Sequence, residues 1–211
     1  MVQKIVLRNI CYDDIPKIVS IQRESYPEVS SGQLYIPLFL ENHISLFQEG
    51  QFCAELDGDV VASATCLIVT LEPEYAEHTW KEITADGMFT NHNSNGDSLY
   101  GADISTHPKH RHEGIGRMII HRWKELVTKL NLRRMIGGGR LFNYIEHADR
   151  MSPYEYTEKV IKGELKDLVL TFELDIGFKF VKILPNYLDD VRSMNYASFI
   201  EWINPSYEPN R

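Results

Sequence analysis

The stretch from Ser98 to Leu130 does most to limit what this chain can fold into. Ser98 to Thr106 has strand character, His107 to Arg117 reads HPKHRHEGIGR, and Gly114 to Leu130 follows with a helical apolar period. Ile115, Met118, Ile119, Trp123, Leu126, Val127 and Leu130 form one stripe of that helix, which His121, Arg122, Lys124 and Lys129 avoid. The stripe, Met118 and Trp123 included, is expected in a core. A strand that turns through glycines directly into a long amphipathic helix calls for a sheet with helices laid on it. The same junction leaves backbone N–H groups and the positive end of the helix dipole pointing outward. It is also basic: Lys109, Arg111 and Arg117 are opposed only by Glu113, and 3 − 1 gives +2 before any histidine is protonated. The expected ligand is a pyrophosphate. A β-carbon at Gly114 or Gly116 would stand between the amides and its oxygens.

The whole chain carries the opposite sign. Over 211 residues, 22 Lys and Arg face 30 Asp and Glu, a formal net charge of −8. Such a surface repels phosphate backbones and anionic membranes, so any anion site must be local. The apolar share of 43% and charged share of 25% are those of a globular chain, and the length suits one domain over residues 1–211. Cys11, Cys53 and Cys66 are odd in number and far apart, which reads as reduced thiols. Met1 to Ile10 lacks the apolar core of a secretory signal. The longest apolar run, Val60 to Val69, is about half the roughly 20 residues of a membrane helix. The expectation is a cytoplasmic protein with no membrane or nucleic-acid partner.

Along the chain, Val2 to Ile10 reads as a strand, and Asp13 or Asp14 caps a helix with Pro16 in its first turn. Ile15, Ile18, Val19 and Tyr26 mark its stripe, with Gln22 between them. A second helix over about Gln33 to Gln48 is interrupted by Pro37. Gln51 to Leu56 and Val60 to Leu71 form a hairpin across Asp57-Gly58-Asp59. Thr90 to Ser98 is a loop. Leu132 to Ile136 is a fifth strand ending in Gly137 to Gly139, read equally as a lining of the site or as a flexible turn. Ser152 starts a helix with Pro153, another spans about Glu164 to Asp175, and Phe178 to Leu184 and Tyr196 to Ile203 are final strands. The class is α/β around one mixed sheet.

Three phosphate motifs compete for the junction. A P-loop needs Gly-Lys-Ser or Gly-Lys-Thr, which is absent. A dinucleotide fingerprint needs a third glycine where Ile119 stands. What remains is Arg/Gln-x-x-Gly-x-Gly/Ala, met by Arg111-His112-Glu113-Gly114-Ile115-Gly116. With the preceding strand ending in Thr106-His107-Pro108, the long helix after it, and Gly177-Phe178 near the end, this resembles the acyl-CoA loop of the GNAT family of N-acetyltransferases. More narrowly, His107 to Leu141, Met151 to Gly163 and Leu184 to Leu188 are similar to acetyltransferase domains fused ahead of nitrilase-type carbon-nitrogen hydrolases.

The resemblance implies the GNAT fold, a mostly antiparallel seven-stranded sheet flanked by helices with strands four and five splayed apart. It also implies acetyl-CoA as cosubstrate. Its pyrophosphate would lie on Arg111, His112, Glu113, Gly114, Ile115, Gly116 and Arg117, and its pantetheine along Ile104, Ser105 and Thr106. Where many relatives place a thiolate-protonating tyrosine, this chain has Glu173. Tyr144 is then the first substitute acid and Tyr187 the second. Asp103, taken to face opposite to Tyr100, Ala102 and Ile104, is the base candidate, with Glu173 and His107 as bases acting through water. His107, His110 and His112 alternate with Lys109 and Arg111, which repel a cation, so no metal is expected. The expected activity is acetyl transfer to a small amine or a protein amine, with a homodimer as the assembly to consider; a non-catalytic acyl-CoA sensor is the competing class. An acidic acceptor cleft would suit a cationic amine.

Overall fold

The computed structural model describes residues 5–209. Seven strands form one sheet: β1 (Ile5–Asn9), β2 (Phe52–Leu56), β3 (Asp59–Val69), β4 (Ser98–Thr106), β5 (Arg134–Arg140), β6 (Lys179–Leu184) and β7 (Ala197–Ile203), in the order β1-β2-β3-β4-β5-β7-β6. Every neighbouring pair is antiparallel except β4 with β5. The expected strand from Val2 begins outside the described residues. Two cores lie on the faces of the sheet. One packs under α4 (Ile115–Lys129), α5 (Pro153–Ile161) and α6 (Leu170–Asp175), the other under α1 (Ile15–Ser25), α2 (Pro37–Phe47) and α3 (Trp80–Thr84). No helix among the described residues is long and apolar enough to cross a membrane.

The β2–β3 hairpin turns through Asp57 and Gly58, both at positive φ, the conformation a tight two-residue turn needs. Pro37 does not interrupt α2 but opens it, since the first helical turn leaves its N–H unpaired in any case. The helix expected from Glu164 is confined to Leu170–Asp175, because the Asp167 carboxylate accepts the Val169 and Leu170 N–H groups and fixes a new start there. On α4, Trp123 is 1% exposed and its indole donates to Gly50 O at 2.8 Å, whereas Met118, expected in the core, is 37% exposed. Helix α3, built on a Thr79–Glu82 capping box, was not legible from apolar period because it is one turn long.

Two departures shape the site. Gly137 to Gly139 are not a turn but lie within β5, fully paired to β7. Their parallel partner β4 leaves them early: pairing runs from Ser98–Arg134 to Gly101–Gly137 and stops, although both strands continue. The second departure is a bulge in β4, where Thr65 pairs Asp103 and the next residue, Cys66, pairs Gly101, leaving Ala102 extra. The bulge shifts the alternation by one, so Asp103 shares the α1 face with Tyr100 instead of opposing it.

Candidate active site

A cavity of about 590 Å³ opens where β4 and β5 part and passes through the sheet from the α4 side to the α1 side. On the α4 side stands the glycine junction. Gly114 is the N-cap of α4 at φ 80°, a conformation that costs any other residue strain, and nothing lies within 4 Å of where its β-carbon would be. Gly116 is small for a different reason than close ligand approach: a β-carbon there would lie 3.2 Å from the Phe172 ring of α6. His112 also holds positive φ, and the Arg111 guanidinium donates to Ser25 O at 3.2 Å, tying the loop to the end of α1. Arg111, His112, Gly114, Ile115, Gly116 and Arg117 line the cavity; Glu113 does not, and its carboxylate faces His110 at 3.4 Å. The His107 and His110 rings lie 5.7 Å apart, but each turns a nitrogen to its own carboxylate, His107 to Glu24 and His110 to Glu113. Among the described residues no group of three His, Cys, Asp or Glu is arranged for a metal ion.

Along the gap, β4 has lost its neighbour. The carbonyls of Ala102, Ile104 and Thr106 are taken instead by Trp80 Nε1 (3.1 Å), the Tyr26 hydroxyl (2.9 Å) and Ser25 Oγ (3.0 Å). In β5 the glycines make room on both faces. A β-carbon at 139 would collide with the Glu173 carboxyl, and one at 138 with the Tyr187 ring. Glu173 therefore reaches the gap from the α4 side and Tyr187 from the α1 side.

Glu173 is buried, and its Oε2 lies 3.3 Å from Ser198 Oγ, which also sits 3.0 Å from Gly139 O. Burial drives its carboxyl well above the usual carboxylate range, with the nearby Asp167 charge adding to the shift. Burial thus favours the protonated form of Glu173, the form that can donate a proton. Asp103 lines the opposite side and accepts from Ser105 Oγ at 2.7 Å. Burial pushes its carboxyl up to about 6, with Ser105, Tyr26 and Arg140 pulling the other way. It is poised to take up a proton near neutrality. Ser105 holds Asp103 and does not line the cavity, while Ile104 and Thr106 do.

Tyr187 belongs to a directed chain. His78 Nδ1 lies 2.9 Å from Ala76 O, which only accepts, so Nδ1 carries the proton, and burial keeps the ring neutral by lowering its pKa. Nε2 then accepts from the Tyr100 hydroxyl at 3.0 Å, and Tyr100 accepts from Tyr187 at 2.8 Å. Tyr187 thus turns lone pairs, not its proton, toward the cavity. Tyr144 lies outside the cavity lining: its hydroxyl donates to Met151 O at 3.0 Å and its ring packs on Tyr156 and Tyr196. His107 also lies outside it.

Sequence reasoning missed Gln22, Gln33 and Arg140 as site residues, all of which line the cavity on the α1 side. Gln22 carried a signal, a polar residue on the buried stripe of α1. The cavity is not acidic, since Asp103 and Glu173 share it with Arg111, Arg117 and Arg140.

The family model described as "Acetyltransferase (GNAT) family" matches residues 15–143. The chain is 40% identical over 210 residues to the "Probable hydrolase YhcX" of Bacillus subtilis (strain 168), aligning 99% of this chain with 40% of that protein. It is 36% identical over 207 residues to the "Uncharacterized N-acetyltransferase YkwB" of the same organism, covering 98% of this chain and 92% of that one. Among solved structures, a GphF GNAT-like decarboxylase in complex with isobutyryl-CoA superposes with a TM-score of 0.76 at 16% identity, covering 94% of this chain and 99% of that one.

Proposed function

Because this chain belongs to the GNAT acetyltransferase family, we propose that it transfers the acetyl group of acetyl-CoA to the primary amine of a small molecule by direct attack in a ternary complex. The single observation that carries this reading is the pair of buried carboxyl groups, Glu173 and Asp103, that meet one gap from opposite faces of the sheet, both shifted by burial toward the protonated form, Asp103 to about 6. Acetyl-CoA, when bound, supplies an activated acetyl group and departs as the thiol. The backbone amides from Arg111 to Gly116 would hold its pyrophosphate, helped by the dipole of α4. Along β4, the N–H groups of Ile104 and Thr106 follow their carbonyls to the gap side and would hold the pantetheine.

For the transfer, an ammonium must lose a proton before its lone pair forms the C–N bond, and the C–S bond then breaks to leave a thiolate. Asp103 accepts the ammonium proton. Tyr187, with its lone pairs toward the cavity, accepts a second N–H and orients the amine. Glu173 delivers its proton to the departing sulfur, doing from a protonated carboxyl what the tyrosine at this position does in many relatives, and the second proton that the nitrogen loses as the amide forms passes to solvent. Arg111 and Arg117 keep the positive field on the α4 side, where the anionic end belongs.

Two measurements test this. Calorimetry with acetyl-CoA, CoA and ATP should give binding to the first two and none to ATP; ATP binding without CoA binding would refute the cradle. Free-thiol release from acetyl-CoA across a panel of amines should show turnover. Acetyl-CoA binding with no turnover on any amine would leave a sensor in place of an enzyme.

A further inference from the structure

Gln22 and Gln33 are 3% and 7% exposed, and both line the α1 end of the cavity. Each has its amide orientation fixed by the main chain. Gln22 Oε1 accepts the Tyr35 N–H at 2.9 Å, and Gln33 Oε1 accepts the Asp189 N–H at 2.8 Å. A backbone N–H only donates, so the oxygen must be the bonded end and the NH₂ the other. Among the described residues, no protein hydrogen bond takes up either Nε2 atom. Both residues line the cavity, where their NH₂ groups can donate to a molecule that brings acceptors.

A third donor stands beside them. The Arg140 guanidinium lies 4.9 Å from the Tyr26 ring and 4.7 Å from the Phe142 ring, and its Nη1 donates to the buried Asp190 at 3.2 Å. The rings and the ion pair fix the fork in place and leave its other N–H groups to the cavity. Against these donors the same chamber sets one cation acceptor, the Asp103 carboxylate. Donors for an anion and a carboxylate for an ammonium describe a zwitterion. A plain alkylamine would leave the amide donors facing hydrocarbon, and a polyamine would set a second cation against them and Arg140.

The donor set favours a free molecule over a polypeptide end, whose first residue carries an amide in place of the carboxylate. Ser30 N–H donates to Asp189 O at 3.0 Å, Val29 bridges Asp190, and Gln33 holds Asp189. Two loops are thus bonded to each other at the α1 end of the cavity.

We infer that the acceptor is a small amino carboxylate, bound through its carboxylate to Gln22, Gln33 and Arg140 with its amine toward Asp103; this rests on the acetyl-transfer reading above. The experiment is calorimetry on the full chain preloaded with CoA, so it needs no turnover. The titrants are glycine, β-alanine, γ-aminobutyrate and the L-α-amino acids, each beside its decarboxylated amine and a tripeptide beginning with it. At least one amino carboxylate should bind about tenfold or more tighter than its amine and its peptide. Gln22→Glu and Gln33→Glu keep the oxygen that holds the main chain but turn the cavity-facing donor into an acceptor. Each should weaken the amino carboxylate by about tenfold or more, leaving the amine bound at least as tightly and acetyl-CoA within about twofold. Retained acetyl-CoA affinity also reports that the variant is folded. The inference is overturned if the amine or peptide binds as well, if no amino carboxylate binds to protein that does bind CoA, or if both variants bind it unchanged. Failure of the wild-type chain to bind acetyl-CoA overturns the underlying reading instead, and this inference with it.

Discussion

The two ends of the cavity are built by different means. On the α4 side the recognition surface is one continuous stretch, Arg111 to Arg117, and its chemistry is main chain: a left-handed glycine, a helix start and its amides. On the α1 side Gln22 and Tyr26, Gln33 and Tyr35, Asp103, Arg140, and Tyr187 arrive from five separate segments, and the chemistry is entirely side chain. A site made of backbone needs only a local conformation, so it tolerates wide change in the rest of the chain. One made of side chains depends on the sheet, the bulge at Ala102 and the two tied loops together. Substitutions should therefore separate cleanly, affecting cosubstrate affinity on one side and amine chemistry on the other.

The largest separation is expected at Asp103. Asp103→Asn should lower kcat by about 10²–10⁴-fold while leaving acetyl-CoA affinity unchanged in calorimetry. In the wild-type enzyme kcat/KM should rise with pH through about 6 as Asp103 loses its proton, then level off, and the variant should lose that rise. Glu173→Gln comes next, with kcat down about 10²-fold in thiol-release assays, because the amide fills the space but has no acidic proton to give. Equal kcat in Glu173→Gln and wild type would remove Glu173 from the chemistry.

Asp103 also makes a smaller prediction of opposite sign. Its folded-state pKa of about 6 lies above the ordinary aspartate value of 3.8, so the folded chain binds the proton more tightly than the unfolded one. Stability contributed by this group therefore falls as pH rises from the unfolded to the folded value, and the penalty is complete above pH 6. Asp103→Asn should stabilise the protein by about 3 kcal/mol at pH 8 and by nothing below the unfolded value, as read by denaturant melts at the two pH values. The smallest effect is across the gap: Gly114→Val should weaken acetyl-CoA about tenfold by straining the left-handed cap, with the KM for the amine unchanged.

The same contrast explains what the sequence made legible. The glycine junction, the long helix and the hairpin at Asp57-Gly58 are local patterns, and each appears where its residues ask for it. The three glycines of β5 were ambiguous because their reason lies elsewhere in the chain, in Glu173 and Tyr187, whose side chains fill the space a β-carbon would take. Asp103 was singled out on its polarity, but its facing depended on the Ala102 bulge, which alternation cannot register. Tyr144 stood near the right strand end in sequence, yet its hydroxyl turns to Met151. Gln33 and Arg140 gave no local signal, since an exposed loop glutamine and a strand-end arginine look the same from sequence as these two do.

The central claim, that the cosubstrate and amine sides meet in the gap between β4 and β5, is tested most directly by a crystal structure with acetyl-CoA bound. The account predicts the pyrophosphate on the amides of Arg111 to Gly116 and the thioester in the gap, with its sulfur about 3–4 Å from the Glu173 carboxyl and its carbonyl carbon open toward Asp103. A thioester that lies outside the gap, or a pyrophosphate held away from the start of α4, would contradict it.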